Sequence, residues 1–201
     1  MKVGFFLPNE PIKSFPDTLN RQTEGQYSLE TVLPAKVLFF FQPPQPVDGV
    51  YNLRDAAFIA GLQYDGVFRL GSVWDSGKRM TLTAEGVTKD TISAHPPPNG
   101  QTVLQFLLSL PHAEALTFNF SMGLPDKNCS LDGLYFKVFL NGKQRFEHFG
   151  FNTPGWVDAH ISLSEFAGET VLLELVTDSV ESATCDWAHW ADLIIIAKEN
   201  L

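Results

Sequence analysis

Apolar and polar residues alternate along the middle of the chain. In the segment 116–122 every second residue is apolar, and these residues are Leu116, Phe118, Phe120 and Met122. Successive side chains of a β-strand point to opposite faces of the sheet, so a period of two predicts a half-buried strand. The segments 134–140, 157–163 and 171–175 repeat the pattern. The pattern therefore predicts a series of strands that each bury one face.

Turn signals lie between these strands. Asn141 and Gly142 directly follow the segment 134–140. This dipeptide favours the type I′ turn of a hairpin, which predicts a return strand through 144–149. The isoleucine-rich segment 190–197 predicts a last strand that is buried on both faces.

Helical pattern is scarce in the sequence. The segment 52–61 is compatible with a short helix, and 164–168 with a single turn. Many short strands separated by turns are typical of sandwiches and barrels. The composition agrees, because 17 Phe favour strands while 15 Gly and 13 Pro favour turns. We therefore predict an all-β fold, a jelly-roll sandwich of antiparallel strands with little helix.

A proline-rich segment divides the chain. Residues 42–46 have the sequence QPPQP. Proline removes backbone donors and favours extended chain, so this segment predicts a linker. Before it, the segment 36–41 is the one clear strand candidate. We predict an N-terminal arm and linker over residues 1–47 and a jelly-roll domain over 48–201.

The charge of the chain limits its partners. The net charge is −9, with 14 basic and 23 acidic residues. Nucleic acids and anionic membrane surfaces require clustered Lys and Arg, and the basic residues here are scattered. No stretch approaches the roughly 20 apolar residues of a transmembrane helix, and the start of the chain lacks the pattern of a signal peptide. We expect a soluble domain that binds neither nucleic acid nor membrane.

The sequence lacks the common catalytic motifs. Its five histidines never occur as H-x-H or H-x-x-x-H, the spacing expected of a metal centre on a jelly roll. Nucleophile-elbow, P-loop and dinucleotide-binding motifs are also missing. We therefore expect a domain without catalytic activity.

The densest group of functional side chains precedes the last strand. Indole rings stack on the apolar faces of sugar rings, and Asp and His side chains hydrogen-bond sugar hydroxyls. The candidate ligand-binding residues of this group are Asp186, Trp187, His189, Trp190 and Asp192. A place in the core is the competing interpretation for Trp190, and a loop cap for Asp192. The period of two places Trp190 and Asp192 on the same face of the strand.

Four ring side chains occupy outward-facing positions of the predicted strands. They are Tyr135, Phe139, Trp156 and His160. Exposed aromatic residues on a sheet can form a ligand platform. The alternative is that the N-terminal arm covers them.

Oxygen-bearing side chains are frequent in the predicted loops. They include Asp126, Asn128, Asp132, Asp178, Glu181 and Asp186. Calcium binds about six to eight oxygen ligands of this kind, and the candidate metal ligands are Asp126, Asp132 and Asp178. The spacing matches no EF-hand, and solvated acidic loops are the competing interpretation.

The chain has two cysteines, Cys129 and Cys185. They lack the C-x-x-C spacing of a metal or redox site. A disulfide requires Cα atoms within about 7 Å, so either a disulfide or two separate thiols remains open.

Five segments follow one another in the order found in a known family. The segments are 88–95, 116–126, 132–142, 161–168 and 186–192. In this order they resemble the family named "novel putative carbohydrate-binding module", a jelly-roll domain attached to glycoside hydrolases, over roughly residues 53–196. His95 matches a histidine of that family. The closing signature matches at Asp186, Ala188, Trp190, Ala191 and Asp192, whereas Trp187 replaces a His and His189 replaces an Asp.

The resemblance implies a function and its partners. It implies a galactose-type or related glycan as ligand, a bound Ca²⁺ and a linked catalytic domain, and it adds His95 to the candidate ligand-binding residues. We therefore expect a non-catalytic carbohydrate-binding module. The alternatives are a protein-interaction domain of a larger carbohydrate-active protein, and an enzyme acting on a sugar or polyketide, whose titratable groups would converge in a cleft.

Overall fold

The computed structural model describes residues 49–125, 133–150 and 155–198, and the backbone of 20–23 and 26–28. The strands are β1 (Asn20–Thr23), β2 (Gln26–Ser28), β3 (Val50–Asn52), β4 (Ile59–Tyr64), β5 (Val67–Leu70), β6 (Arg79–Ala84), β7 (Val87–Ser93), β8 (Gln101–Ser109), β9 (Ala115–Leu124), β10 (Leu134–Leu140), β11 (Lys143–Gly150), β12 (Gly155–Ser162), β13 (Thr170–Ser179) and β14 (His189–Lys198). In these ranges the helical structure is one 3₁₀ turn, Ser164–Phe166, and no helix is long and apolar enough to cross a bilayer. The expected strand 36–41 and the proline-rich segment lie outside the described residues, and the division at residue 47 stays a prediction.

Two antiparallel sheets face each other. Sheet 1 has the order β11-β10-β13-β8-β4-β5, and sheet 2 has the order β12-β9-β14-β7-β6, with β3 also paired to β14. From β7 to β14 the chain alternates between the sheets, except at the β10–β11 hairpin, and produces the spatial orders β7-β14-β9-β12 and β8-β13-β10-β11. These are the two Greek keys of an eight-stranded jelly roll. The predicted all-β jelly-roll sandwich is confirmed, and β3 to β6 extend it.

The core lies between the two sheets. The alternating residues of β9 are buried as predicted, and those of β10 are buried in the same way from Leu134 to Leu140. Trp190 is completely buried, and its ring meets the rings of Phe136 and Phe120 at centroid distances of 5.1 and 5.7 Å. Burial of apolar side chains is the main favourable term of folding, and the large aromatic rings contribute to it together with the many aliphatic residues of the core.

The hairpin between β10 and β11 is also confirmed. Asn141 and Gly142 have φ values of 50° and 77°, as a type I′ turn requires. The Asn141 side-chain oxygen accepts a hydrogen bond from the backbone N–H of Leu172 at 2.9 Å. The turn is therefore fixed to the neighbouring strand as well as closed by its own geometry.

The short helix expected over 52–61 is wrong, whereas the single turn expected within 164–168 is confirmed. β4 begins at Ile59 and pairs with both β8 and β5. Two rows of inter-strand hydrogen bonds outweigh a weak helical pattern. Gly61 also favours the strand, because a Cβ there would lie 2.1 Å from the ring of Phe68.

The last strand departs from a period of two. Asp192 has a φ of +50°, and the pairing of β14 with β9 shifts between Ala191 and Ile194. This irregularity reverses the faces, so Leu193 points inward like Trp190, while Asp192 is exposed. The prediction that Trp190 and Asp192 share a face is therefore wrong. Burial on both faces is confined to the first three residues of the strand.

The β6–β7 hairpin covers part of the outer side of sheet 2. Lys89 reaches across from β7 to the carboxylates of Asp158, at 2.9 Å, and Asp192, at 2.6 Å. The indole N–H of Trp156 donates to the carbonyl of Val87 at 3.0 Å, and Glu85 lies beside Gly155. Among the described residues, this hairpin covers Trp156, so Trp156 is not an open ligand platform.

The edge strand β12 is less buried than its pattern predicted. Val157 is 43% exposed, although the alternation placed it in the core. Ala159 and Ile161 are partly buried and pack against the core. β12 lies at the end of sheet 2, where the opposing sheet covers only part of each side chain.

Replacing the central indole should weaken the fold strongly. Trp190→Ala removes a fully buried ring, and we expect the free energy of unfolding to fall by about 3–5 kcal/mol. Urea denaturation followed by circular dichroism measures this change. Trp74→Ala is the matched control, because Trp74 is 61% exposed and its loss should cost less than about 0.5 kcal/mol. Equal losses in the two variants would contradict the placement of Trp190 in the core.

Candidate functional site

Three loops meet at one end of the sandwich and enclose two adjoining depressions. The loops are 71–78, 94–100 and 180–188. The first depression has a volume of about 510 Å³, and its walls include Trp74, His95, Pro98, Glu181, Ala183 and Trp187. The second has a volume of about 240 Å³, and its walls include Trp74, Met80, Leu82, His95, Trp187 and His189. Trp74, His95 and Trp187 belong to both depressions and form the rim between them.

Hydrogen bonds to backbone carbonyls hold the three loops together. The N–H of Ala94 donates to the carbonyl of Ala188 at 2.8 Å, which joins the loop after β7 to the loop before β14. The carbonyl of His95 accepts from the hydroxyls of Ser76, at 2.7 Å, and Thr102, at 2.6 Å. The site is therefore braced by the sandwich even though its residues lie on loops.

His95 has a defined hydrogen-bonding role. Its Nδ1 lies 2.5 Å from the backbone carbonyl of Asp186. A carbonyl can only accept, so Nδ1 carries the hydrogen and Nε2 of the neutral ring is an acceptor. The described residues provide no protein partner for Nε2. Burial lowers the pKa of His95 below its ordinary value, and the hydrogen bond to Asp186 opposes this shift only in part.

Two indole rings flank the imidazole. The ring centroid of Trp74 lies 4.2 Å from that of His95, and the centroid of Trp187 lies 6.4 Å from it. Trp74 is 61% exposed and has a φ of +49°, a backbone conformation that is rare for a bulky side chain. The loop therefore holds an apolar ring in water on a strained backbone, which is a combination found at ligand sites.

The structure brings together three of the six predicted ligand-binding residues. His95, Trp187 and His189 line the depressions, and the Nδ1 of His189 lies 3.1 Å from the hydroxyl of Thr91. Asp186 adjoins them but is fully buried, and its backbone carbonyl is the group that positions His95.

The remaining two predicted residues lie elsewhere. Trp190 is fully buried in the core, so its ring cannot stack on a ligand. Asp192 lies on the outer side of sheet 2, where its carboxylate binds Lys89 and the hydroxyl of Ser121. The cluster 186–192 is divided in this way because its second half lies in β14, where the positive φ of Asp192 and the register shift place Trp190 and Asp192 on opposite sides.

The sequence interpretation missed Trp74, Met80 and Leu82. Trp74 lies between Gly71 and Gly77 in a turn-rich segment, and an aromatic residue in such a loop is a signal that could have been used. Met80 and Leu82 have the ordinary pattern of a strand. Only the path of the β6–β7 hairpin brings them to the site.

Calcium binding stays a prediction. Asp126 and Asp132 lie outside the described residues. Asp178 lies within β13 rather than in a loop, and its carboxylate binds Lys137 at 2.6 Å and Gln101 at 2.8 Å. The described residues contain no group of three His, Cys, Asp or Glu side chains that could hold a metal ion.

Cys185 lies in the wall of the first depression and is disulfide-bonded. The chain has one further cysteine, Cys129, which lies outside the described residues.

Comparisons with known proteins give structural similarities only. No family model matches the chain, and no curated protein matches it. Among solved structures, CBM51 from Clostridium perfringens GH95 in complex with methyl-galactose is 16% identical, with a TM-score of 0.47, over 73% of this chain and 99% of that one. The CBM51-2 and INT domains of Clostridium perfringens ZmpB give 17% identity and a TM-score of 0.48, over 74% of this chain and 31% of that one.

A third similar structure is a family 35 carbohydrate-binding module from Clostridium thermocellum. It is 18% identical, with a TM-score of 0.37, over 74% of this chain and 98% of that one. Carbohydrate-binding modules are therefore among the solved structures to which this chain is similar. At these identities and TM-scores, the case for a site depends on the residues of this chain alone.

The burial of His95 predicts a dependence of stability on pH. Because its pKa is lower in the folded chain than the ordinary value of 6.5, the unfolded chain binds more protons. The contribution to stability is therefore complete above about pH 6.5 and is lost as the pH falls through the folded pKa. Between about pH 8 and pH 5, the free energy of unfolding should fall more in the wild type than in His95→Asn, whose amide can donate to the same carbonyl without titrating.

Urea denaturation at each pH measures this difference. His112→Asn is the matched control, because His112 is exposed and its removal should leave the pH profile of the wild type unchanged. If His95→Asn also followed the wild-type profile, the depressed pKa of His95 would be refuted.

Proposed function

We propose that this chain binds carbohydrate without catalysing a reaction, at the end of the sandwich formed by Trp74, His95 and Trp187. The observation that carries the proposal is the convergence of two indole rings and one imidazole on a cleft whose loops are joined by hydrogen bonds to backbone carbonyls. Sugars present apolar faces together with rows of hydroxyls. Ring stacking and a small number of fixed polar groups recognise both features.

Each ring has a separate role in this proposal. Trp74 is exposed and stacks on the face of one sugar, while Trp187 forms the opposite wall. The neutral His95 accepts a hydrogen bond from a sugar hydroxyl through Nε2, because Nδ1 is already bound to the carbonyl of Asp186. Asp186 acts as a positioning residue through that carbonyl.

The size and stiffness of the site support the proposal. A volume of about 510 Å³ lies within the range of roughly 300–1,000 Å³ that is typical of small-ligand pockets. A cleft that is already shaped before binding loses less conformational entropy when a ligand enters.

Two finer features are part of the same proposal. A bound Ca²⁺ would extend the set of groups that contact sugar hydroxyls. A linked catalytic domain would gain a higher local concentration of its substrate when this domain holds the same glycan. Both features come from the family resemblance and need their own tests.

A glycan array tests the proposal directly. The purified chain, shown to be folded by circular dichroism, is applied once with calcium and once with a chelator. We expect binding to a defined set of glycans, and loss of signal in chelator would show a metal requirement. A blank array under both conditions would contradict carbohydrate binding and favour a protein-interaction domain.

Substitutions then test the residues. Trp74→Ala and Trp187→Ala each remove a stacking surface and should weaken binding about tenfold or more, since an aromatic contact and its buried area together are worth at least about 1.4 kcal/mol. His95→Ala should act similarly by removing the acceptor. Titration calorimetry with the best array glycan measures the affinities. His112→Ala is the control, because His112 is an exposed histidine at the other end of the sandwich, and it should leave the affinity unchanged. Unchanged affinity in all three site variants would refute the placement of the binding site at Trp74, His95 and Trp187.

A further inference from the structure

The second depression shares a rim with the first and adds a wall of its own. The rings of Trp74 and Trp187 line both depressions, and Pro98 lines the first alone. The second is closed on one side by Met80 and Leu82 of the edge strand β6. Its volume of about 240 Å³ is also smaller, so it suits a substituent better than a chain of sugars.

The position of Met80 and Leu82 follows from strand register. Met80 is paired directly with Thr91, and Leu82 with Lys89. Directly opposite residues of an antiparallel pair point to the same face, and Lys89 on that face binds Asp192 on the outer side of sheet 2. Met80 and Leu82 therefore lie on the face of the β6–β7 hairpin that is turned toward the outer side of sheet 2. On this face the hairpin approaches the loops of the site.

Several polar side chains of the second depression are already engaged. The hydroxyl of Ser93 donates to the backbone carbonyl of Asp75. The carboxylate of Asp75 binds Lys78 at 2.5 Å, and His189 is bound to Thr91. Ser93 and His189 are buried, so a ligand that took over their present bonds would lose about as much as it gained. These two bonds therefore add little net affinity for a hydroxyl-rich sugar ring.

Apolar surface is what remains for recognition. Met80 is 39% exposed, and Leu82 is partly buried beside it. Methionine and leucine side chains adapt to small aliphatic groups and gain free energy when such a group displaces water. A ligand group for this depression is therefore small, apolar and attached to a sugar that contacts the shared rim.

We propose that the second depression is a subsite for a methyl-bearing substituent of the glycan, either the acetyl group of an acetamido sugar or the methyl group of a 6-deoxy sugar. The proposal rests on the carbohydrate-binding function proposed above. It assigns Met80 and Leu82 as residues that determine specificity, with Trp74, His95 and Trp187 holding the sugar itself.

Matched pairs of array glycans test the subsite. One arm compares glycans that differ only by acetamido in place of hydroxyl, and the other compares 6-deoxy glycans with the parent glycans that carry a 6-hydroxyl. We expect the methyl-bearing member of at least one arm to bind about tenfold more tightly, the low end of what one methylene group or the removal of one hydroxyl provides in an apolar pocket. The arm that shows the preference identifies the substituent.

Two variants connect the preference to this depression. Met80→Gln keeps the length of the side chain and introduces a polar amide, and Leu82→Thr removes apolar volume while keeping a branched strand residue. Each should reduce the preference to less than about threefold while leaving the affinity for the unsubstituted member unchanged. Val67→Ser is the control, because Val67 is an exposed apolar residue of β5 that lies outside both depressions. A thermal melt shows that each variant is folded.

The results separate the two proposals. A blank array refutes carbohydrate binding itself. Glycan binding without a preference in either arm refutes the subsite alone, and so does a preference that survives Met80→Gln in the folded protein. If Met80→Gln lost the same affinity for both members of a pair, Met80 would support the whole site rather than contact the substituent.

Discussion

The packing of Trp190 between the two sheets is the contact on which the rest of the molecule depends. Its ring meets Phe136 from sheet 1 and Phe120 from sheet 2, so it joins the sheets at their centre. Trp190 is also the second residue of β14, paired with Ile92 on one side and Met122 on the other. Fixing Trp190 also fixes the three residues before it, which line the second depression.

The site is thus an extension of the core rather than a separate feature. Asp186 and Ala188 are buried next to Trp190, and their carbonyls accept hydrogen bonds from His95 and Ala94. These two bonds align the loop after β7 with the loop before β14. Because these bonds satisfy polar backbone groups of both loops, His95 and Trp187 are held in an ordered arrangement at the candidate site.

The β6–β7 hairpin connects this site to the outer side of sheet 2. Lys89 of this hairpin lies between two carboxylates, and its Nζ lies 5.3 Å from the ring centroid of Trp156. Desolvation opposes the charge of Lys89, and hydrogen bonds to Asp192 and Asp158 outweigh it, so that the pKa of Lys89 is raised. Asp192, which in the sequence belongs with the ligand-binding candidates, instead helps to hold the hairpin that carries Met80 and Leu82.

The sequence by itself determined the all-β class, the main strands and the hairpin at Asn141 and Gly142. These features depend on neighbouring residues, because alternation and turn conformation are local properties of the chain. It also predicted His95, Trp187 and His189 as ligand-binding residues, His95 through the family resemblance, and all three line the second depression. Only the tertiary structure decided that Trp190 is core and that Asp192 faces away, because one residue with a φ of +50° reverses the faces of β14. Met80 and Leu82 reach the site for a similar reason, since a hairpin that folds back over a sheet leaves no periodic trace in the sequence.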